Sequence, residues 1–191
     1  MAEAILPAPT RKLAPDGVIG MLIFIFAEVM FFAGLISAHV IVESRALGGA
    51  WPPVGQPRLP LEETAINTAL LLASGALVFL AHRARRRKLR SAPAILLGAL
   101  VLGVAFVSLQ GREWVALISE GLSLTSSTYG GFFYLIVGSH ALHAVAAISA
   151  LGWATFELWK GRLPDSAFAT VQLFWYFVVL VWPAIYVQVY L

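Results

Sequence analysis

The chain has 191 residues, 60% of them hydrophobic and 12% charged, with a mean hydropathy of +0.84. Soluble domains carry about 25% charged residues, so this composition excludes a water-soluble globule and sends the apolar excess to lipid. Cysteine is absent, which excludes disulfides, thiolate metal sites and a cysteine nucleophile.

In chain order, residues 1–16 come first, carrying Glu3, Arg11, Lys12, Asp16 and Pro7, Pro9 and Pro15 but no apolar core. They read as a cytoplasmic N-terminal segment with no cleavable signal. Five apolar stretches follow, at 17–42, 64–81, 92–110, 129–158 and 168–191. A helix needs about 20 residues to cross a hydrocarbon core of about 30 Å, so each stretch predicts a transmembrane helix. The fourth exceeds that need and is expected to tilt or project. The fold class is therefore all-α, a single five-helix membrane bundle over 17–191.

The boundaries carry capping chemistry. Asp16 is placed to cap the first helix, Ser91 with Pro93 to open the third, Ser127-Thr128 the fourth and Asp165-Ser166 the fifth. The Gly- and Pro-rich run 48–57 reads as an ordered or extended loop. Pro183 is expected to kink the fifth helix and free a carbonyl near Val179. Trp114, Trp153, Trp159, Trp175, Trp182, Tyr186 and Tyr190 read in part as interface anchors. Small residues at Gly98 and Gly103, and at Ser74, Gly75 and Ala76, permit close helix approach.

Charge placement predicts orientation. Arg11, Lys12, Arg83, Arg85, Arg86, Arg87, Lys88, Arg90, Lys160 and Arg162 fall on one side, and Arg45, Arg58 and Arg112 on the other. The basic side is expected in the cytoplasm, with the C-terminus outside. The net charge of +3 is thus a topology signal able to touch anionic lipid, and not a nucleic-acid surface.

An ionisable residue at the bilayer centre costs at least about 2.5–3.5 kcal/mol on insertion scales, so it needs a partner. Glu28 sits deep in the first stretch. His140 and His143, spaced i,i+3 on one helical face, reach a similar depth in the fourth. A hydrogen bond from Glu28 to either His is expected. It reads as a packing clamp in preference to a proton-exchanging or ligand-binding pair. Two His on one helix do not make a metal site. Asn67 starts the second span, and Gln110 ends the third, followed by Glu113; these fit the same clamp role. No catalytic, cofactor-binding or metal-binding set is legible.

These pieces occur in a familiar order. Glu28-Val29-Met30-Phe31-Phe32-Ala33-Gly34, Trp51-Pro52-Pro53, Asn67-Thr68, Ser74-Gly75, Ala81-His82, Leu97-Gly98, Phe106, Gln110, Glu113-Trp114, Tyr129-Gly130-Gly131-Phe132-Phe133, Gly138-Ser139-His140-Ala141-Leu142-His143, Trp175, Phe177 and Trp182 together resemble subunit III of the haem–copper respiratory oxidases. The likeness runs over 17–191, in the five-helix form similar to that of many bacterial oxidases. Three departures stand out. Tyr176 and Val179 replace a His and an Asp of the family pattern, and Ala141 replaces a Gly.

The resemblance implies a non-catalytic accessory subunit of a proton-pumping oxidoreductase complex that reduces oxygen. It implies packing on catalytic subunit I, phospholipid binding and support of proton uptake. Haem and copper belong to partner subunits. It also implies other oxidase subunits, a small helical subunit supplying two further helices, and residence in a bacterial plasma membrane. The equivalent subunit of a quinol oxidase or nitric oxide reductase is the alternative within the family. A small proton-coupled carrier using Glu28 and His140 is the alternative outside it, disfavoured because no internal repeat is present.

Overall fold

The computed structural model describes residues 15–46, 51–53 and 55–191. The expectations for 1–14, including Arg11 and Lys12, and for residues 47–50 and 54 of the first loop lie outside the described residues. Five helices are long and apolar enough to cross a membrane. They are α1 (Asp16–Ser44), α2 (Leu61–Arg86), α3 (Ala92–Ser119), α4 (Thr128–Trp159) and α5 (Asp165–Ile185). A π-helical turn, Tyr186–Tyr190, continues α5. No strand occurs among the described residues.

Several helices outrun the predicted spans. α2 starts before position 64 and continues past 81 into the arginines, because charged residues can extend a helix beyond the hydrocarbon. α3 continues beyond 110 to Ser119, so Gln110 and Glu113 lie inside the helix and not after it. α5 runs through Pro183 to Ile185 and then widens into the π turn.

Two caps differ from expectation. The cap position of α1 is Pro15, and that of α5 is Pro164, with Asp16 and Asp165 in the first turns. Ser91 occupies the α3 cap without a side-chain cap bond. Ser127 does cap α4, its hydroxyl accepting from the Gly130 amide at 3.0 Å.

The helices alternate in direction. Ser74 Oγ donates to the Ala99 carbonyl at 2.7 Å, tying α2 to α3 near mid-length. Arg85 Nη2 donates to the Leu163 carbonyl at 2.6 Å and to Asp165 at 2.7 Å, joining the end of α2 to the start of α5. At the other end of the same pair, Tyr186 Oη donates to the Leu61 carbonyl at 3.1 Å. α2 and α5 are therefore antiparallel.

Close approach needs small residues. A Cβ at Gly103 would meet Trp175 Cη2 at 2.5 Å, and one at Gly75 would meet Val179 Cγ1 at 3.0 Å. The second contact gives Val179 an apolar role against α2. Trp175 and Trp182, 1% and 0% exposed, are core residues. This corrects their reading as interface anchors; Trp153 and Trp159 remain exposed. Tyr190 is also buried. α1 differs from the others, with only Phe32 and His39 buried along its 29 residues.

Candidate functional site

Two polar regions lie within the bundle. The first joins α1 to α4. Glu28 stands near the middle of α1, and its Oε2 lies 3.2 Å from His143 Nε2. Both side chains are largely buried, at 20% and 13% exposure. His143 Nδ1 lies 2.8 Å from the Ser139 carbonyl. A carbonyl only accepts, so Nδ1 carries a hydrogen. A hydrogen bond between the two side chains gives each a polar partner inside the bundle, which lowers the cost of burying them.

Aromatic rings close this region. The Phe32 ring centroid is 5.5 Å from that of His143, Phe24 is 6.2 Å away and Phe177 is 5.9 Å away. The i,i+3 spacing therefore does not make His140 and His143 equivalent. His140 is 1% exposed and turns into the core. Its ring centroid lies 4.9 Å from Trp182 and 6.2 Å from Phe106. Its Nε2 has no hydrogen-bond partner among the described residues. Of the two expected partners for Glu28, the geometry brings in His143 and leaves His140 out.

The second region joins α2, α3 and the π turn. Gln110 is its hub. Its Nε2 donates to Glu113 Oε2 at 2.7 Å and to Tyr190 Oη at 3.1 Å. Its Oε1 accepts from Asn67 Nδ2 at 3.2 Å, and Asn67 Nδ2 also faces the Phe106 carbonyl at 3.2 Å. Thr64 Oγ1 lies 3.1 Å from Glu113 Oε2 and 2.7 Å from the Pro60 carbonyl. One turn deeper, Trp182 Nε1 donates to Thr68 Oγ1 at 2.8 Å. Asn67, Gln110, Glu113 and Trp182 thus meet in one place, while Trp175 packs in the core on Gly103. Trp51 stands at the end of α1, its ring 5.6 Å from His39 and 5.3 Å from Tyr129. The Trp51–Pro52 peptide bond is cis.

Sequence reasoning did not single out Thr64, Thr68 or Tyr190 for this network. The signal existed: Thr64, Asn67, Thr68, Leu71 and Ser74 follow helical spacing on one face. It also did not single out His39, which is 1% exposed with neither ring nitrogen partnered among the described residues. A His near a predicted helix end reads as solvated, and only the folded position of Trp51 and Phe132 encloses it. Among the described residues no group of three or more His, Cys, Asp or Glu could hold a metal ion. The arrangement joins helices through hydrogen bonds.

Comparison with known proteins gives one consistent result. The family described as cytochrome c oxidase subunit III matches residues 6–191. The chain is 32% identical over 182 residues to cytochrome c oxidase subunit 3 of Oryctolagus cuniculus. It is 34% identical over 182 residues to that of Mus musculus and 33% identical over 179 residues to that of Lycodon semicarinatus. Each alignment covers 90% of this chain and 67% of the relative.

Proposed function

Because the chain belongs to the cytochrome c oxidase subunit III family, an accessory subunit of haem–copper oxidases, we propose that it packs on the catalytic subunit and stabilises it. It is a multi-pass membrane protein. In this reading haem and copper are carried by other subunits, and this chain supports proton uptake by holding helices and lipid in place.

The observation that carries the reading is the Glu28–His143 contact at 3.2 Å. The two side chains partner each other, and His140, the next ionisable group on α4, turns away toward Trp182. A relay would need a continuing chain of exchangeable groups. A clamp needs only the one contact. Glu28 and His143 therefore act as a clamp holding α1 on α4, and the network of Asn67, Gln110 and Glu113 acts as a second clamp.

The exposed side of α1 supports a partner. An apolar groove of about 610 Å³ runs between α1 and α5, lined by Leu22, Val29, Phe32, Phe177 and Leu180 among others. We assign it to transmembrane helices of a small neighbouring subunit, with phospholipid filling the gaps. A structure of the complex with lipid alone in the groove would contradict that assignment. The basic end faces the cytoplasm in this reading, and the membrane is a bacterial plasma membrane.

The test is co-purification. The C-terminus is tagged, membranes are extracted in mild detergent, and a reduced-minus-oxidised spectrum is recorded. Haem bands and a large polytopic subunit are expected, and mass spectrometry of the complex then identifies the electron donor, cytochrome c or quinol. A haem-free protein without a stoichiometric partner, under conditions that preserve the native oxidase, would overturn the reading and favour a proton-coupled carrier.

A further inference from the structure

The connection between α2 and α3 concentrates positive charge. Arg83, Arg85, Arg86, Arg87, Lys88 and Arg90 fall within eight positions. Arg85 is the exception among them. It is held by the Leu163 carbonyl and Asp165, and it lies over the Phe168 ring at 5.1 Å. Glu157, near the same end of the bundle, is taken by Arg162 at 2.9 Å. Arg83, Arg86, Arg87, Lys88 and Arg90 are all exposed, and their side chains have no hydrogen-bond or ion-pair partner among the described residues. Lys88 takes a left-handed conformation, φ 55°. The turn is closed by Leu89 N donating to the Ala84 carbonyl at 2.9 Å, so the cations are displayed on an ordered turn.

The surface beneath them is apolar. Leu72, Phe79 and Leu80 are exposed on α2, at 44%, 53% and 47%. Arg83 follows Phe79 by four residues and Leu80 by three, and Arg86 and Arg87 follow Arg83 by three and four. Residues at those spacings share a helix face. One face of α2 therefore runs from exposed hydrocarbon directly into exposed guanidinium. An acidic protein segment would match the cations alone. A ligand with an anionic head and an apolar tail matches both parts.

We propose that this face of α2, with the turn to α3, is a binding site for an acidic phospholipid. Arg83 and Arg87 hold the headgroup phosphate, and Arg86, Lys88 and Arg90 supply the surrounding positive field. Guanidinium forks suit phosphate oxygens. Clusters of four to eight cations at the membrane end of a helix attract anionic lipid. The acyl chains lie along Phe79, Leu80 and Leu72. The site shares no residue with the α1–α5 groove and does not depend on the oxidase reading.

The test compares phosphatidylglycerol with phosphatidylcholine. The wild-type chain, with whatever subunits purify with it, is delipidated mildly and given each lipid in detergent. Bound lipid is counted by native mass spectrometry. Wild type should retain phosphatidylglycerol preferentially, and the preference should weaken as salt rises. R83Q/R87Q should lower it at least about tenfold, since each cation near the surface contributes roughly fivefold. R83K/R87K should restore most of it, and Arg112→Gln at the opposite end should leave it unchanged. Equal retention of the two lipids by wild type would overturn the proposal, and that comparison requires no variant to fold. So would an unchanged preference in R83Q/R87Q, or loss of an acidic protein subunit from that variant with lipid retention intact.

Discussion

Helices α1 and α2 cross the same membrane and are built on opposite plans. α1 is the more apolar in sequence, yet it buries only Phe32 and His39. α2 buries Thr64, Asn67, Thr68, Ser74 and Gly75 among its core residues and hydrogen-bonds through four of them. Hydrophobicity alone therefore does not hold a helix in a membrane bundle, because lipid is as apolar as leucine. Close approach and polar contacts hold α2, α3 and α5 together. At mid-helix α1 is attached by the Glu28–His143 contact and a set of rings. Most of its remaining surface is not buried in the bundle.

Five substitutions can break or sharpen this contrast, read as shifts in unfolding midpoint of the detergent-purified chain. The largest effect is expected for Gln110→Leu, which strips Asn67, Glu113 and Tyr190 of a shared partner. Membrane hydrogen bonds average about 0.6 kcal/mol, but a stranded buried group costs about 1–3 kcal/mol, so a loss of about 3 kcal/mol is expected. A variant as stable as wild type would show that the network holds nothing together. Next is Gly103→Val, which drives a side chain into Trp175. Overpacking of this kind costs about 1–3 kcal/mol, and an unchanged midpoint would deny the close approach of α3 and α5.

Smaller effects belong to α1. Glu28→Leu leaves His143 Nε2 unpaired and should cost about 1 kcal/mol. Glu28→Gln keeps an N–H that can donate to it and should cost less than about 0.5 kcal/mol. Equal stability of the two variants would count against the clamp. Smallest is Gly34→Ala, where an added Cβ meets nothing within 4 Å. It should be neutral or stabilising by less than about 1 kcal/mol. A marked loss would mean that α1 packs more tightly than its exposure indicates.

The bundle itself was legible because the length of an apolar span follows directly from the membrane. That Glu28 and the His pair lie at one level of the bundle was legible from residue count and the helical rise. Which His answered Glu28 was not. His140 and His143 share a face, and only the rotation of α4 against α5 turns His140 toward Trp182. The end of α3 was misplaced because the apolar run stops near Gln110 while the helix does not; the pairing of Glu113 with Thr64 and Gln110 carries polar residues within it. Trp175 and Trp182 read as interface anchors by residue type, but Gly103 and Thr68 provide a cavity for one and a hydrogen bond for the other. Both complements come from distant segments, so neither is visible in local sequence.

The accessory role is tested most directly by following oxygen consumption of the fully assembled complex carrying Glu28→Gln. Reaction at a haem site in another subunit should begin within about twofold of the wild-type rate, since the hydrogen bond to His143 is kept. Any difference should emerge in activity retained over many turnovers or in assembly yield. Complete and immediate loss of oxygen reduction, with haem content and subunit composition unchanged, would contradict the account and place Glu28 in the reaction itself.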